Sequence, residues 1–220
     1  MTKKTRRLRR LGAGILASAL VLTACSGGEP DTETDAGLKV CEELLGAEGV
    51  SRTRALIGDD GFAVEDLSLE AIRESMLRQA RTYKPESEDL FRSSYEPCEL
   101  RANSGGGGIK RVDAGVKWSV LSMETVLKGL ERGDWTESAQ DLYVQKVPRL
   151  KGLAAILPCK ISGTAPGQER AMPLEVAVST SDETGTEGDA LAKTLLSSLA
   201  RNTQKILGCA NPVSVPDVLP

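Results

Sequence analysis

The chain has 220 residues, a formal net charge of −3 and no histidine. The absence of histidine excludes Ser-His-Asp triads, Cys-His nucleophile pairs, histidine-ligated zinc and acid–base catalysis by imidazole. The length suits one sizeable domain or two small ones, and the excess of acidic residues opposes binding to nucleic acid. No cofactor and no metal site is predicted.

Residues 1–24 have the order of a secretory signal peptide. Six Lys and Arg residues at positions 3–10 precede an uncharged apolar run over 11–22, and small residues follow up to Cys25. The run is shorter than the roughly 20 residues that a membrane-spanning helix needs. A buried core helix is the alternative, but it would leave the six cations without a role. Removal of this segment leaves 22 basic and 31 acidic residues, a formal charge of −9.

The junction Leu22-Thr23-Ala24-Cys25 resembles the lipobox of bacterial lipoproteins. The resemblance implies cleavage between Ala24 and Cys25 and a diacylglyceryl thioether on the Cys25 sulfur. Two acyl chains such as palmitate, at about 0.8 kcal/mol per buried methylene, would hold the domain on the outer face of the cell membrane. Ordinary secretion, with Cys25 free or in a disulfide, is the alternative. The export route stays open because Arg6-Arg7 also fits a twin-arginine signal.

The mature chain begins with a polar segment over 25–37, which predicts the lipidated cysteine followed by a flexible tether. Ten residues of this kind reach about 15–20 Å. Three helices are predicted after it, over 38–47, 51–57 and 68–83. Ser68 caps the third helix, and Pro85 prevents its continuation. Its apolar face recurs every three or four residues and contains Leu69, Ile72, Met76, Ala80 and Tyr83.

From residue 97 the pattern changes to strands. Alternation predicts a hairpin of strands over 98–101 and 112–121, whose loop contains four consecutive glycines at 105–108. A short helix over 123–130 and strands over 142–147, 153–161 and 174–178 follow. The last helix begins at Asp189 and ends at Gly208. The predicted fold class is α+β: an antiparallel sheet packed against helices in a single domain over 38–212, with an extended tail over 213–220.

The cysteines predict a fold held by disulfides. Assigning Cys25 to lipid leaves an even number, four, which in an exported protein indicates two disulfides, with four buried thiols as the alternative. Sequence alone leaves three pairings open. A weak internal repeat, in which Pro-Cys starts a hairpin that precedes a helix, divides the domain into two similar halves over 38–133 and 134–212. If the repeat is real, the pairs are Cys41–Cys98 and Cys159–Cys209.

The domain itself is similar to small α/β domains of unknown function in actinobacterial lipoproteins. The similarity consists of Val40-Cys41-Glu42-Glu43-Leu44-Leu45, the later Pro-Cys strand and the final helix that ends in Leu-Gly-Cys. Because that family has no known catalytic residues, the resemblance implies a location and no mechanism.

Few local motifs indicate chemistry. The four glycines lack the Gly-Lys-Ser/Thr order of a phosphate-binding loop. Trp118 alternates with apolar residues and is predicted in the core, whereas Trp135 lies among polar residues and is predicted as an exposed contact for a partner. Two acidic clusters are solvated loops or, alternatively, cation sites: Asp59-Asp60 with Glu65 and Asp66, and Asp182, Glu183, Glu187 and Asp189.

These features favour a non-catalytic lipoprotein that binds a protein or envelope partner outside the membrane. One alternative is a carrier for an apolar ligand held between sheet and helices. A second alternative is a hydrolase that uses carboxylates, because no histidine is present. The carrier needs a cavity lined by residues such as Leu191, Leu195, Leu199, Val116 and Val176.

Overall fold

A computed structural model of the protein describes residues 32–57, 62–64, 68–85, 92–102, 111–147, 152–180 and 185–219. The signal peptide, Cys25 and the four-glycine loop lie outside the described residues, as do most members of the two acidic clusters. Of those clusters only Asp189 has a described side chain, and it is exposed on the last helix.

The described chain forms six helices and seven strands. The helices are α1 Thr32–Leu45, α2 Ala47–Ile57, α3 Leu69–Thr82, α4 Met123–Glu131, α5 Gln168–Ala171 and α6 Gly185–Leu207. The strands are β1 Phe62–Val64, β2 Ser94–Arg101, β3 Arg111–Trp118, β4 Thr136–Ala139, β5 Leu142–Val147, β6 Gly152–Leu157 and β7 Leu174–Thr180. Of these, β1, β4 and α5 were not predicted. None of the described helices is both long enough and apolar enough to cross a membrane.

All seven strands belong to one antiparallel sheet in the order β1-β2-β3-β7-β6-β5-β4. The α+β class with an antiparallel sheet packed against helices is therefore confirmed. The sheet crosses the boundary proposed at 133/134, since β7 pairs with both β3 and β6. The two Pro-Cys pairs also occupy different positions, because Cys98 lies inside β2 whereas β6 ends at Leu157, before Cys159.

The first face of the sheet carries the main core. Side chains alternate along a strand, so Val112, Ala114, Val116 and Trp118 of β3 point to one face, where each is at most 2% exposed. Helices α1, α3 and α6 cover this face with their apolar sides. The indole Nε1 of Trp118 donates to the Met76 carbonyl of α3 at 2.8 Å, which confirms Trp118 as a core residue.

Helix α3 begins and ends close to the predicted residues. The Ser68 hydroxyl accepts a hydrogen bond from the Ala71 backbone N–H at 3.2 Å, which caps the helix start. Four apolar residues on one side are buried, and they lie at the spacing that one face of a helix requires: Ile72, Met76, Leu77 and Ala80.

Two disulfides link the helices to the sheet. Cys41 of α1 is bonded to Cys98 of β2, and Cys159, after β6, is bonded to Cys209 at the end of α6, each pair with Cα atoms 5.0 Å apart. Both predicted pairings are confirmed. The sequence separations are 57 and 50 residues, so each bridge stabilises the fold by about 4 kcal/mol in the loop-entropy model.

The chain is structured further toward both ends than the sequence predicted. Helix α1 begins at Thr32, inside the segment 25–37 that was expected to be a tether. A helix whose later turns pack through buried Cys41, Leu44 and Leu45 does not need an apolar first turn. At the other end, Val215 and Leu219 are 8% and 3% exposed, so the domain extends past residue 212 and includes the tail.

Candidate functional site

Helix α4 covers one part of the second face of the sheet. Five side chains form a small second core there, and each is at most 5% exposed. They are Met123 and Val126 of α4, Trp135, Tyr143 of β5 and Ile156 of β6. The second face is thus covered over β5 and the end of β6.

The prediction that Trp135 is an exposed partner contact is wrong, because the residue is 5% exposed. Its ring lies directly against α4, where a Cβ added to Gly129 would be 2.8 Å from the Trp135 Cδ1 atom. The missing side chain at Gly129 makes room for the indole. The polar neighbours of Trp135 indicated a surface position, but the turn after α4 folds the ring back under the helix.

The part of the second face that no described helix covers forms a groove of about 230 Å³. Its floor is a row of directly opposed residues on four adjacent strands: Gly115 of β3, Ala177 of β7, Ala154 of β6 and Gln145 of β5. The first three are small, so the backbone of the sheet is accessible between taller residues in the neighbouring rows.

A charged pair forms one rim of the groove. Lys117 and Glu175 are directly opposed on β3 and β7, and the Lys117 Nζ atom lies 3.1 Å from the Glu175 Oε1 atom. The Glu175 side chain is only 13% exposed and that of Lys117 is 34% exposed. This rim is therefore a partly buried ion pair at the edge of the region that α4 covers.

Asp113 forms the opposite rim. The Arg111 Nε group donates to the Asp113 Oδ1 atom at 2.6 Å, and the Ser179 hydroxyl donates to the Oδ2 atom at 3.4 Å. Burial raises the pKa of the Asp113 carboxyl above its ordinary value, although the hydrogen bond from Arg111 opposes this shift. The carboxylate is thus only partly compensated for the loss of water around it.

The charges around the groove are mainly negative. Carboxylates from three strands line it, namely Glu96 of β2, Asp113 and Glu175, together with one ammonium group, that of Lys117. Arg111 lies beside the lining residues and contacts Glu99 at 3.3 Å and Glu96 at 3.8 Å in addition to Asp113. The Glu96 side chain is 64% exposed, so it can reach an incoming group.

Sequence reasoning missed this site. The alternation over 112–121 placed Val116, Trp118 and Val120 on one face, which implies that Asp113, Gly115 and Lys117 share the other face. The polar residues of this alternating segment were therefore the feature of the sequence that could have identified the site. Val120 lies past the end of β3 and is 49% exposed, so its predicted place on the buried face is wrong. The contribution of Ala177 and Glu175 depends on the β3–β7 register, which joins segments about 60 residues apart.

The residues proposed to line an apolar cavity lie elsewhere. Leu191, Leu195 and Leu199 of α6 and Val116 and Val176 of the sheet are brought together in the main core. Each is at most 2% exposed. In this arrangement the five side chains pack against one another and the surrounding core residues.

A second cleft, of about 560 Å³, separates the end of α6 from the tail. Two of its polar side chains are engaged in holding the tail. The Gln204 amide bonds to the Val213 backbone, and Arg201 forms an ion pair with Asp217. This cleft is therefore a structural junction, and the groove on the sheet is the better candidate for a binding site.

Two further observations bear on the site. Within the described ranges, no group of three or more Cys, Asp or Glu side chains is placed to hold a metal ion. A comparison with protein-family models, a search of curated proteins and a search of solved structures each found no match to this chain.

Proposed function

We propose that this protein is a lipoprotein on the outer face of the cell membrane that binds a protein or envelope partner without catalysing a reaction. The observation that supports a binding role is the groove on the second face of the sheet. Among the residues that the structure describes, its floor of small residues and its charged rims lie open, whereas the first face is packed under helices.

The proposed anchor would keep the domain close to the membrane. Seven residue steps separate Cys25 from Thr32, where α1 begins, and a fully extended chain of this length spans about 25 Å at most. The formal charge of −9 would oppose close adhesion of the domain to anionic headgroups. A lipid on Cys25 would therefore limit the distance of α1 from the membrane and leave the domain free to turn toward a partner.

A hydrolase that uses carboxylates is the second candidate, and the raised pKa of Asp113 is the observation that favours it. The other partly buried carboxylate in the groove, Glu175, is ion-paired with Lys117. Asp113 is likewise bonded to Arg111. An ion-paired carboxylate is less available as an acid or a base in hydrolysis. Binding is therefore the better-supported role.

Two measurements test the proposal. Cells labelled with palmitate should yield a labelled protein, and the label should disappear in Cys25→Ser. A photo-crosslinking residue at Ser94, which lines the groove, should form a discrete adduct on intact membranes, whereas the same residue at exposed Glu74 of α3 should not. Ala177→Met, which fills the floor of the groove, should abolish the Ser94 adduct.

The two measurements test the anchor and the groove independently. Unlabelled wild-type protein would refute the anchor. An adduct from Ser94 that persists in Ala177→Met, or identical adducts from Ser94 and Glu74, would refute the groove as the binding site.

A further inference from the structure

We propose that the groove receives a lysine or arginine side chain from a segment of a protein partner. This inference rests on the proposed function and specifies the chemistry of the partner. Three properties of the groove support it: its charge, its unfilled hydrogen-bonding capacity and its size.

The charge of the lining favours a cation. Three carboxylates and one ammonium group give the lining residues a net charge of −2, and the adjoining ion pair of Arg111 with Glu99 adds one charge of each sign and leaves this value unchanged. An acidic segment or a nucleic acid would be repelled by this field. A second copy of the chain would bring an identical acidic groove, so face-to-face self-association would place like charges opposite each other.

Asp113 provides the specific contact. Arg111 bonds to its Oδ1 atom, whereas Oδ2 accepts only the long hydrogen bond of 3.4 Å from Ser179 among the contacts described for it. A cationic N–H donor at Oδ2 would form a shorter, charge-assisted hydrogen bond. Glu96, which is largely exposed, would contact the same cation from the neighbouring strand.

The size of the groove fits one long side chain. Pockets for drug-sized ligands usually measure about 300–1,000 Å³, whereas this groove measures about 230 Å³. The aliphatic stem of a lysine or arginine would lie on Gly115, Ala177 and Ala154. Its charged head would then reach the carboxylates at the rim, which is the usual arrangement of an amphipathic side chain.

A peptide titration tests the inference. The purified, full mature lipoprotein in detergent is titrated into a fluorescein-labelled ten-residue peptide of alternating lysine and glycine, and binding is followed by fluorescence anisotropy. The matched peptide of alternating glutamate and glycine is the charge control. We expect binding of the lysine peptide alone. The affinity should fall as the salt rises from 0.1 M to 1 M, because the screening length shortens from about 10 Å to about 3 Å.

Three variants locate the binding. Glu96→Gln should weaken the lysine peptide by about two- to fivefold, which corresponds to one exposed ion pair. Ala177→Met should abolish binding because its side chain occupies the floor. Glu74→Gln removes an exposed carboxylate from α3, on the opposite side of the sheet, and should leave the affinity unchanged.

Other outcomes overturn the inference. Lysine-peptide binding that is unaffected by Ala177→Met, or equally weakened by Glu74→Gln, indicates non-specific attraction to an acidic protein. If butylammonium competes as well as the peptide does at equal concentration, the amine group alone accounts for the binding, and the part of the inference that assigns a segment of a protein partner is refuted. If the lysine peptide does not bind while the Ser94 adduct forms and is blocked by Ala177→Met, the cationic partner is refuted and the proposed function stands.

Discussion

The side chain of Gln204 holds the C-terminal tail on the domain, and its replacement by methionine tests that role. The Gln204 Nε2 group donates to the Val213 carbonyl at 3.2 Å, and its Oε1 atom accepts from the Val213 N–H at 2.7 Å. Gln204 is 4% exposed, so water has little access to replace either bond. Methionine has a similar length and removes both hydrogen bonds without leaving a large cavity.

The expected loss of stability follows from two limits. Two hydrogen bonds at about 1 kcal/mol each set the lower limit, about 2 kcal/mol, if the tail stays in place. If the tail detaches, Val215 and Leu219 become exposed, at about 1.5–3 kcal/mol each. Detachment thus costs about 3–6 kcal/mol and sets the upper limit. We expect a decrease of about 2–4 kcal/mol in the free energy of unfolding.

Urea denaturation measures this decrease, and hydrogen exchange of the Val213 amide reports directly on the clamp. The control is Arg201→Met, which removes the ion pair with Asp217 on the same tail. Asp217 is 91% exposed, so this pair should contribute far less than the Gln204 clamp. Unchanged exchange at Val213, together with a loss of stability no greater than that of Arg201→Met, would show that Gln204 does not hold the tail.

Three further predictions concern the second face and the disulfides. Gly129→Ala should destabilise the protein by about 1–3 kcal/mol in urea denaturation and shift the Trp135 fluorescence, because the added Cβ would lie 2.8 Å from the indole. Replacing Cys41 and Cys98 together by serine should cost about 4 kcal/mol in the same assay. The raised pKa of Asp113 means that its native carboxyl binds a proton more tightly than the unfolded one, whose pKa is 3.8. The stability of the wild type relative to Asp113→Asn should therefore fall as the pH rises from 3.8 through the native pKa, and a relative rise over that range would contradict the assignment.

The elements that sequence predicted well are those set by local patterns. Helix α3 was expected over 68–83 and occupies Leu69–Thr82, because a capping serine, an apolar face and a following proline all lie within one segment. The alternation of β3 identified its buried face for the same reason. The disulfide pairs were correct, although the two Pro-Cys positions that led to them are not equivalent in the sheet.

The features that sequence could not provide depend on contacts between distant segments. Trp135 is buried because the turn after α4 brings its ring against Gly129, and nothing in its polar neighbours indicates this contact. The tail is held in part by a glutamine in α6 that satisfies backbone groups nine residues later. The groove requires the pairing of β3 with β7, which places Gly115 beside Ala177.

The composition of the second face explains why no described helix packs on part of it. Where Tyr143 and Ile156 provide large apolar surfaces, α4 packs on the sheet. In the next row Gly115, Ala177 and Ala154 offer little apolar area. A helix placed there would gain too little from burial to offset the loss of water around Asp113, Glu175 and Lys117. For a partner that supplies a cation the free energy of covering these groups is more favourable, because charge-assisted hydrogen bonds replace those lost to water. The same residues that prevent intramolecular packing thus favour an ionic ligand from outside the chain.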